Sequence, residues 1–142
     1  MLSNIRQVLV LVNTIIEILR EHGIPATPQR IAIAEYVLSA RTHPSADDAW
    51  TAVKKKHPTV SRATVYNTLN LLVSKRLLKT HLLQEGITVF DPHVDHHHHF
   101  IDESTGEIHD IEWDAIKVSG EDSLHGFEVH EYQVVMRGRK KK

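Results

Sequence analysis

The sequence predicts an α+β chain, an N-terminal winged helix-turn-helix domain over residues 1–90 followed by a small α/β domain over residues 91–142. Three observations carry this reading. Four capped helical segments come first, and the last turns a polar face outward. The apolar period then switches from 3.6 to 2 at "LLKTHLL", so a hairpin follows the helices. Charge inverts at the same boundary: residues 1–90 hold eleven Lys/Arg against six Asp/Glu, and residues 91–136 hold one against twelve.

Ser3 is followed by apolar residues at 5, 8, 9, 12, 15, 16 and 19, and Gly23 ends the run, the pattern of an amphipathic helix with a cap at each end. In "ATPQRIAIAEYVLSA" Thr27 is the N-cap and Pro28 takes the first helical position, where its missing N–H costs nothing. "HPSADDAWTAVKKKHP" repeats the device with Ser45 as cap and Asp48 three residues on, and predicts a short helix to about Lys56. Ser61 caps the fourth helix, "RATVYNTLNLLVS", whose Val65, Leu69, Leu72 and Val73 cluster on one side. Ala63, Asn67 and Asn70 share the opposite side, flanked by Tyr66. A Gln84–Glu85–Gly86 turn joins the hairpin strands "LLKTHLL" and "ITVFD". Strands at 97–102 and 107–112 around an "ESTG" turn, an ill-defined and partly helical stretch over 114–126, and a strand at 127–137 complete the second domain.

With 41% hydrophobic and 25% charged residues the chain reads as globular, and no apolar run approaches bilayer-spanning length. The apolar start lacks a small-residue cleavage site and carries Glu17, Arg20 and Glu21, so a cytoplasmic protein is expected. There is no cysteine. That removes disulfides and thiolate zinc sites and leaves histidine and carboxylate as the strong metal ligands. The basic first half favours a polyanion, and the acidic, His-rich second half favours cations.

In a helix-turn-helix the second helix lies in the major groove. Ser61 and Arg62 stand at that helix's N-terminus, where backbone N–H groups and a guanidinium hold phosphate. Thr64, Tyr66 and Asn67 suit base contacts, and Arg30 adds positive charge. A solvated polar face has the same composition; the hairpin directly after the helix favours DNA.

"FDPHVDHHHHF", residues 90–100, holds five of the twelve histidines. Purification tags sit at termini, whereas this run is internal and leads into a strand. If 96–99 is extended, His97 and His99 share one face while His96 and His98 share the other. Each face then offers two imidazoles. Imidazole with carboxylate suits Fe(II), Mn(II), Zn(II) or Co(II), and His43, Asp91, His109, Asp110, Glu112, His125 and His130 are available to complete a site. A nonspecific metal sponge stays open on this pattern, and lone histidines such as His22, His57 and His81 read as surface residues.

"TPQR", "HPSADDAW", "SRATVYNTLNLL", "FD" followed by "HHHHF", and "TGEIHDI", in that order over about residues 20–137, resemble the ferric uptake regulator family of metal-dependent transcriptional repressors. The similarity is greatest to its peroxide-sensing branch, because Asp110 follows "TGEIH" where iron and other metal sensors more often have glutamate. The resemblance implies a cytoplasmic homodimer, no enzyme, that binds a palindromic AT-rich operator through its N-terminal domain and dimerises through its C-terminal one. It implies a regulatory Fe(II) or Mn(II), with Zn(II) an alternative, held by His43, Asp91, His97, His99 and Asp110. It further implies that Fe(II)-catalysed oxidation of His43 or His97 by hydrogen peroxide releases the DNA. A second family metal site would use His96 and His98, with His130 near its remaining position, where Tyr132 stands.

An iron- or haem-responsive regulator of the same family is the alternative, and a His-rich metalloenzyme or a storage protein lies further off. The chain departs from many relatives in lacking two Cys-x-x-Cys pairs for structural zinc. Asp102 and Thr105 take the first pair's positions, and "RGRKKK" replaces the second. Apolar packing through Phe127, Val129, Val134 and Met136 is the expected substitute at the dimer.

Overall fold

The computed structural model describes residues 13–84, 86–120 and 124–141, and the chain divides into two compact units, before and after the Val94–Asp95 link. The boundary lies four residues beyond the one expected from sequence. Asp91 thus belongs to the first unit, not to the acidic second one.

In the first unit, α1 covers residues 13–21 among those described, and its expected start at Ser3 lies outside them. Gly23, with φ 70°, ends it. Ile24 N–H reaches Leu19 C=O at 2.8 Å and Gly23 N–H reaches Arg20 C=O at 3.1 Å. This pair of bonds serves carbonyls that a helix end leaves open, and only a residue at ease with positive φ permits it. Then α2 (Pro28–Leu38) starts where the Thr27 hydroxyl accepts Arg30 N–H. Next, α3 (Ala46–Lys54) carries a reciprocal cap, Ser45 Oγ accepting Asp48 N–H at 3.1 Å and Asp48 Oδ2 accepting Ser45 N–H at 3.0 Å. Finally, α4 (Arg62–Ser74) is capped by Ser61, which accepts Thr64 N–H at 3.0 Å.

Val65, Thr68, Leu69 and Leu72 are the buried stripe of α4. Val65, Leu69 and Leu72 pack in one core with Ile15, Leu19, Ile33, Val37 and Ala49 from α1, α2 and α3. The helices present the outer face of α4 while β1 (Lys79–Gln84) and β2 (Ile87–Asp91) form the antiparallel hairpin that follows. Among the described residues no helix is long and apolar enough to cross a membrane.

The second unit is a three-stranded sheet in the order β4-β3-β5. At its centre β3 (His97–Asp102) pairs antiparallel with β4 (Ile108–Glu112) and parallel with β5 (Val135–Gly138). The expected strand at 127–137 is therefore limited to its last residues. Ahead of β5, the Val134 N–H donates to the His98 ring at 3.0 Å, so a side chain takes the group that a longer ladder would use. The partly helical stretch expected over 114–126 reduces to a 3-10 turn at Trp113–Ala115, with no regular helix in its described residues.

In the turn between β3 and β4, the carboxylate of Asp102 accepts both the N–H and the hydroxyl of Ser104. Glu107 N–H adds a bond to Thr105 Oγ1. The Ser104 hydroxyl holds the Asp102 carboxyl below its ordinary range, against the opposing effect of burial. Short polar side chains thus organise a turn without thiolates.

Candidate metal centre

His43 lies in the link between α2 and α3 with φ 54°, a left-handed conformation that few non-glycine residues adopt. The link is stitched to β2: Phe90 N–H donates to Pro44 C=O at 2.8 Å, and Ser45 bridges Val89. That register delivers His43 to Asp91, with Nε2 3.3 Å from Asp91 Oδ2. Both side chains are buried. Asp91 Oδ1 accepts His93 N–H at 2.9 Å. His81 joins them, its Nε2 also 3.3 Å from Asp91 Oδ2. It reads as a surface histidine in sequence, yet it is 8% exposed. The hairpin register is the signal that finds it: His81 pairs with Val89, and Asp91 is two residues further along β2 on the same face.

In the second unit, the β3–β4 register sets His99 opposite Asp110. The strand period adds His97 to the same face. His97 Nε2 stands 3.4 Å and His99 Nε2 3.7 Å from Asp110 Oδ1. Each ring's other nitrogen faces an acceptor: His97 Nδ1 is 2.7 Å from Asp95 C=O and His99 Nδ1 is 2.9 Å from Gln133 Oε1. A carbonyl oxygen only accepts, so Nδ1 carries the hydrogen and the neutral ring keeps its lone pair on Nε2. Two lone pairs and a carboxylate oxygen therefore turn on one place, an arrangement that a cation satisfies.

The donor set fits a metal ion. Donors about 2.1 Å from one ion stand roughly 3.0 Å apart in adjacent octahedral positions and about 3.4 Å apart in a tetrahedron. Contacts of 3.3 Å in the first unit and 3.4–3.7 Å in the second lie at or slightly above these separations. The donors are nitrogen and oxygen alone, which suits Fe(II), Mn(II) and Zn(II).

On the opposite face of β3, His98 is fully buried, and both its ring nitrogens meet backbone groups, Val134 N–H and Trp113 C=O. Its ring stacks on Trp113 at 4.6 Å, so it serves as a core residue. His96 is exposed beside Trp113, and the exposed His130 stands 3.8 Å from Glu128. The structure does not bring His96, His98 and His130 into one donor set.

The six residues expected to meet DNA all lie in the first unit. Ser61, Tyr66 and Asn67 are exposed, and Thr64 is half-buried. Arg30 donates to Pro25 C=O from the start of α2. Arg62 lies 4.3 Å over the Trp50 ring and pairs with Asp47 at 2.7 Å. With both charged groups well exposed the pair contributes little stability, but it holds the guanidinium at the N-terminus of α4.

Residues 21–137 of this chain match the ferric uptake regulator family. The peroxide operon regulator of Bacillus subtilis is 34% identical over 125 residues, spanning 87% of this chain and 86% of that protein. Among solved structures, the manganese-bound ferric uptake regulator of Pseudomonas aeruginosa superposes with a TM-score of 0.65 at 29% identity, covering 89% of this chain and 97% of that one. The Campylobacter jejuni peroxide stress regulator gives a TM-score of 0.63 at 28% identity, with 89% and 96% covered. Sequence motifs, two-unit architecture and these likenesses agree: the chain belongs to the ferric uptake regulator family of metal-responsive regulators.

Proposed function

We propose that His43, Asp91, His97, His99 and Asp110 together hold one regulatory divalent ion, Fe(II) or Mn(II). The chain is then a homodimeric, metal-dependent repressor of a palindromic AT-rich operator that senses hydrogen peroxide. The observation that carries this reading is the second unit's donor set, in which two histidines with fixed tautomers share the oxygen of an aspartate. The likeness to the Bacillus subtilis peroxide operon regulator supports the peroxide assignment.

Two of the five residues belong to the first unit and three to the second. Ion binding is therefore linked to the arrangement of the units, and through it to the spacing of two DNA-reading helices in a dimer. The exposed Phe127 and Val129 suit an apolar dimer contact in place of thiolate zinc. The exposed face of α4 and the guanidinium of Arg62 suit DNA. Arg30, Ser61, Arg62, Thr64, Tyr66 and Asn67 are assigned to that contact.

Fe(II), when held by these residues, would supply the electrons that start reduction of hydrogen peroxide. His43 and His97 are the oxidation targets, the net change being one oxygen atom gained by an imidazole carbon as peroxide becomes water. An oxidised ring loses its place in the donor set, which uncouples the units.

The test is binding to a palindromic AT-rich fragment without metal, with Mn(II), and with Fe(II) before and after micromolar peroxide, followed by peptide mass analysis. Binding that ignores metal refutes the corepressor role. Fe(II)-loaded protein that stays on DNA with no oxygen gain at His43 or His97 refutes peroxide sensing. His97→Ala is expected to lose both responses, whereas Asp110→Glu keeps metal-dependent binding and blunts the response to peroxide.

A further inference from the structure

We propose that His43, His81 and Asp91 form a divalent-metal site within the first unit, in which His81 is a ligand. The site shares His43 and Asp91 with the proposed regulatory set, but it rests on the first unit's own geometry.

Backbone pairing on both sides of β2 places the three donors. On one side Ser45 bridges Val89 in the antiparallel sense, and His43, two residues before Ser45, reaches Asp91. On the other side His81 pairs with Val89, so Asp91, two residues further along β2, lies diagonal to it. Each imidazole turns its Nε2 to the same carboxylate oxygen, Asp91 Oδ2, at 3.3 Å. His43, His81 and Asp91 are 5%, 8% and 2% exposed. Burying three such groups together carries a cost that a shared cation offsets.

Donors about 2.1 Å from one ion stand roughly 3.4 Å apart in a tetrahedron, and both contacts match that separation. The two contacts are equal in length and end on the same oxygen, so the geometry that makes His43 a ligand does the same for His81. The second unit repeats the arrangement, with His97 and His99 facing one oxygen of Asp110 at 3.4 and 3.7 Å. Each unit thus carries its own set of two imidazoles and one carboxylate. With water in the fourth position, such a set suits Zn(II) or Co(II). An ion held by the first set engages one unit alone, and is bound without linking the two.

The experiment titrates Co(II) into the full chain and reads its visible d–d absorption and its competition with a chelating dye. The background is His97→Gln/His99→Gln/Asp110→Asn, which removes the second unit's donors with little change in volume. This triple variant is expected to take up Co(II) at one equivalent, with the intense spectrum of a four-coordinate ion. Adding His81→Gln should lower its Co(II) affinity by more than about 100-fold, beyond the roughly 10–100-fold that loss of a hydrogen-bonded support costs. Adding His81→Leu instead should give the same loss.

A triple variant that binds no Co(II), while wild type does, refutes the first-unit site and leaves the regulatory set standing. A triple variant with wild-type affinity that His81→Gln then abolishes upholds the first-unit site and refutes the regulatory set. Affinity that survives His81→Gln removes His81 from the ligands and overturns the proposal. Should the triple variant not fold, Asp110→Asn alone, at an exposed position, serves as the background with the same expectation for His81→Gln.

Discussion

Gln133 offers a test of the donor geometry through a residue that touches no ion. Its Oε1 accepts from His99 Nδ1 at 2.9 Å, which commits the ring to presenting its Nε2 lone pair beside Asp110. In Gln133→Leu the acceptor is gone and the two neutral tautomers of His99 approach equal standing. Supports of this kind are worth about 10–100-fold in metal affinity. Gln133 is exposed, so water can take over as acceptor, and the loss belongs at the lower end. About tenfold, or ~1.4 kcal/mol, is expected. Gln133→Glu keeps an acceptor and strengthens it with charge, so its affinity equals or exceeds that of wild type. Dye competition with Mn(II) measures all three proteins. Equal affinity in wild type and Gln133→Leu, or a glutamate variant as weak as the leucine one, refutes the tautomer argument.

Ser104→Ala removes the hydroxyl that depresses the Asp102 carboxyl. A depressed carboxyl stabilises the fold above its unfolded value of about 3.9, and the contribution is lost as pH falls through the folded value. The stability gap between wild type and variant should therefore be full at about pH 7 and narrow progressively as pH falls below about 3.9; a gap that does not change with pH contradicts the assignment. Leu69→Ala empties a fully buried position in α4 and should cost about 2–5 kcal/mol in denaturant unfolding. A loss below 1 kcal/mol, on the order of an exposed substitution, would place Leu69 outside the core. Ser45→Ala breaks the reciprocal cap of α3 and should cost about 1 kcal/mol, with most of the loss recovered in Ser45→Thr. Chelation with EDTA is expected to leave a cooperative melt, since no thiolate zinc supports this fold; collapse of the far-UV signal on chelation would show a structural metal.

Features that depend on near neighbours were legible in the chain before it folded. Thr27, Ser45 and Ser61 cap their helices because each hydroxyl meets an N–H three residues on, a relation that needs no tertiary contact. The division of the histidine run was legible for the same reason: successive strand residues alternate faces, so His97 and His99 part from His98 wherever the strand packs. Tertiary structure decided what depends on register between segments distant in the chain. Asp110 meets His99 because β3 and β4 pair with those two residues opposed, and a slip of one residue would send the carboxylate to the other face. Val134 N–H bonds to the His98 ring across 36 positions, so a strand that the apolar alternation extends back to residue 127 begins only at Val135. His81 follows the same logic. Alone in "KTHLLQ" it resembles any surface histidine, and only the pairing of β1 with β2, which sets it diagonal to Asp91, gives it a buried partner.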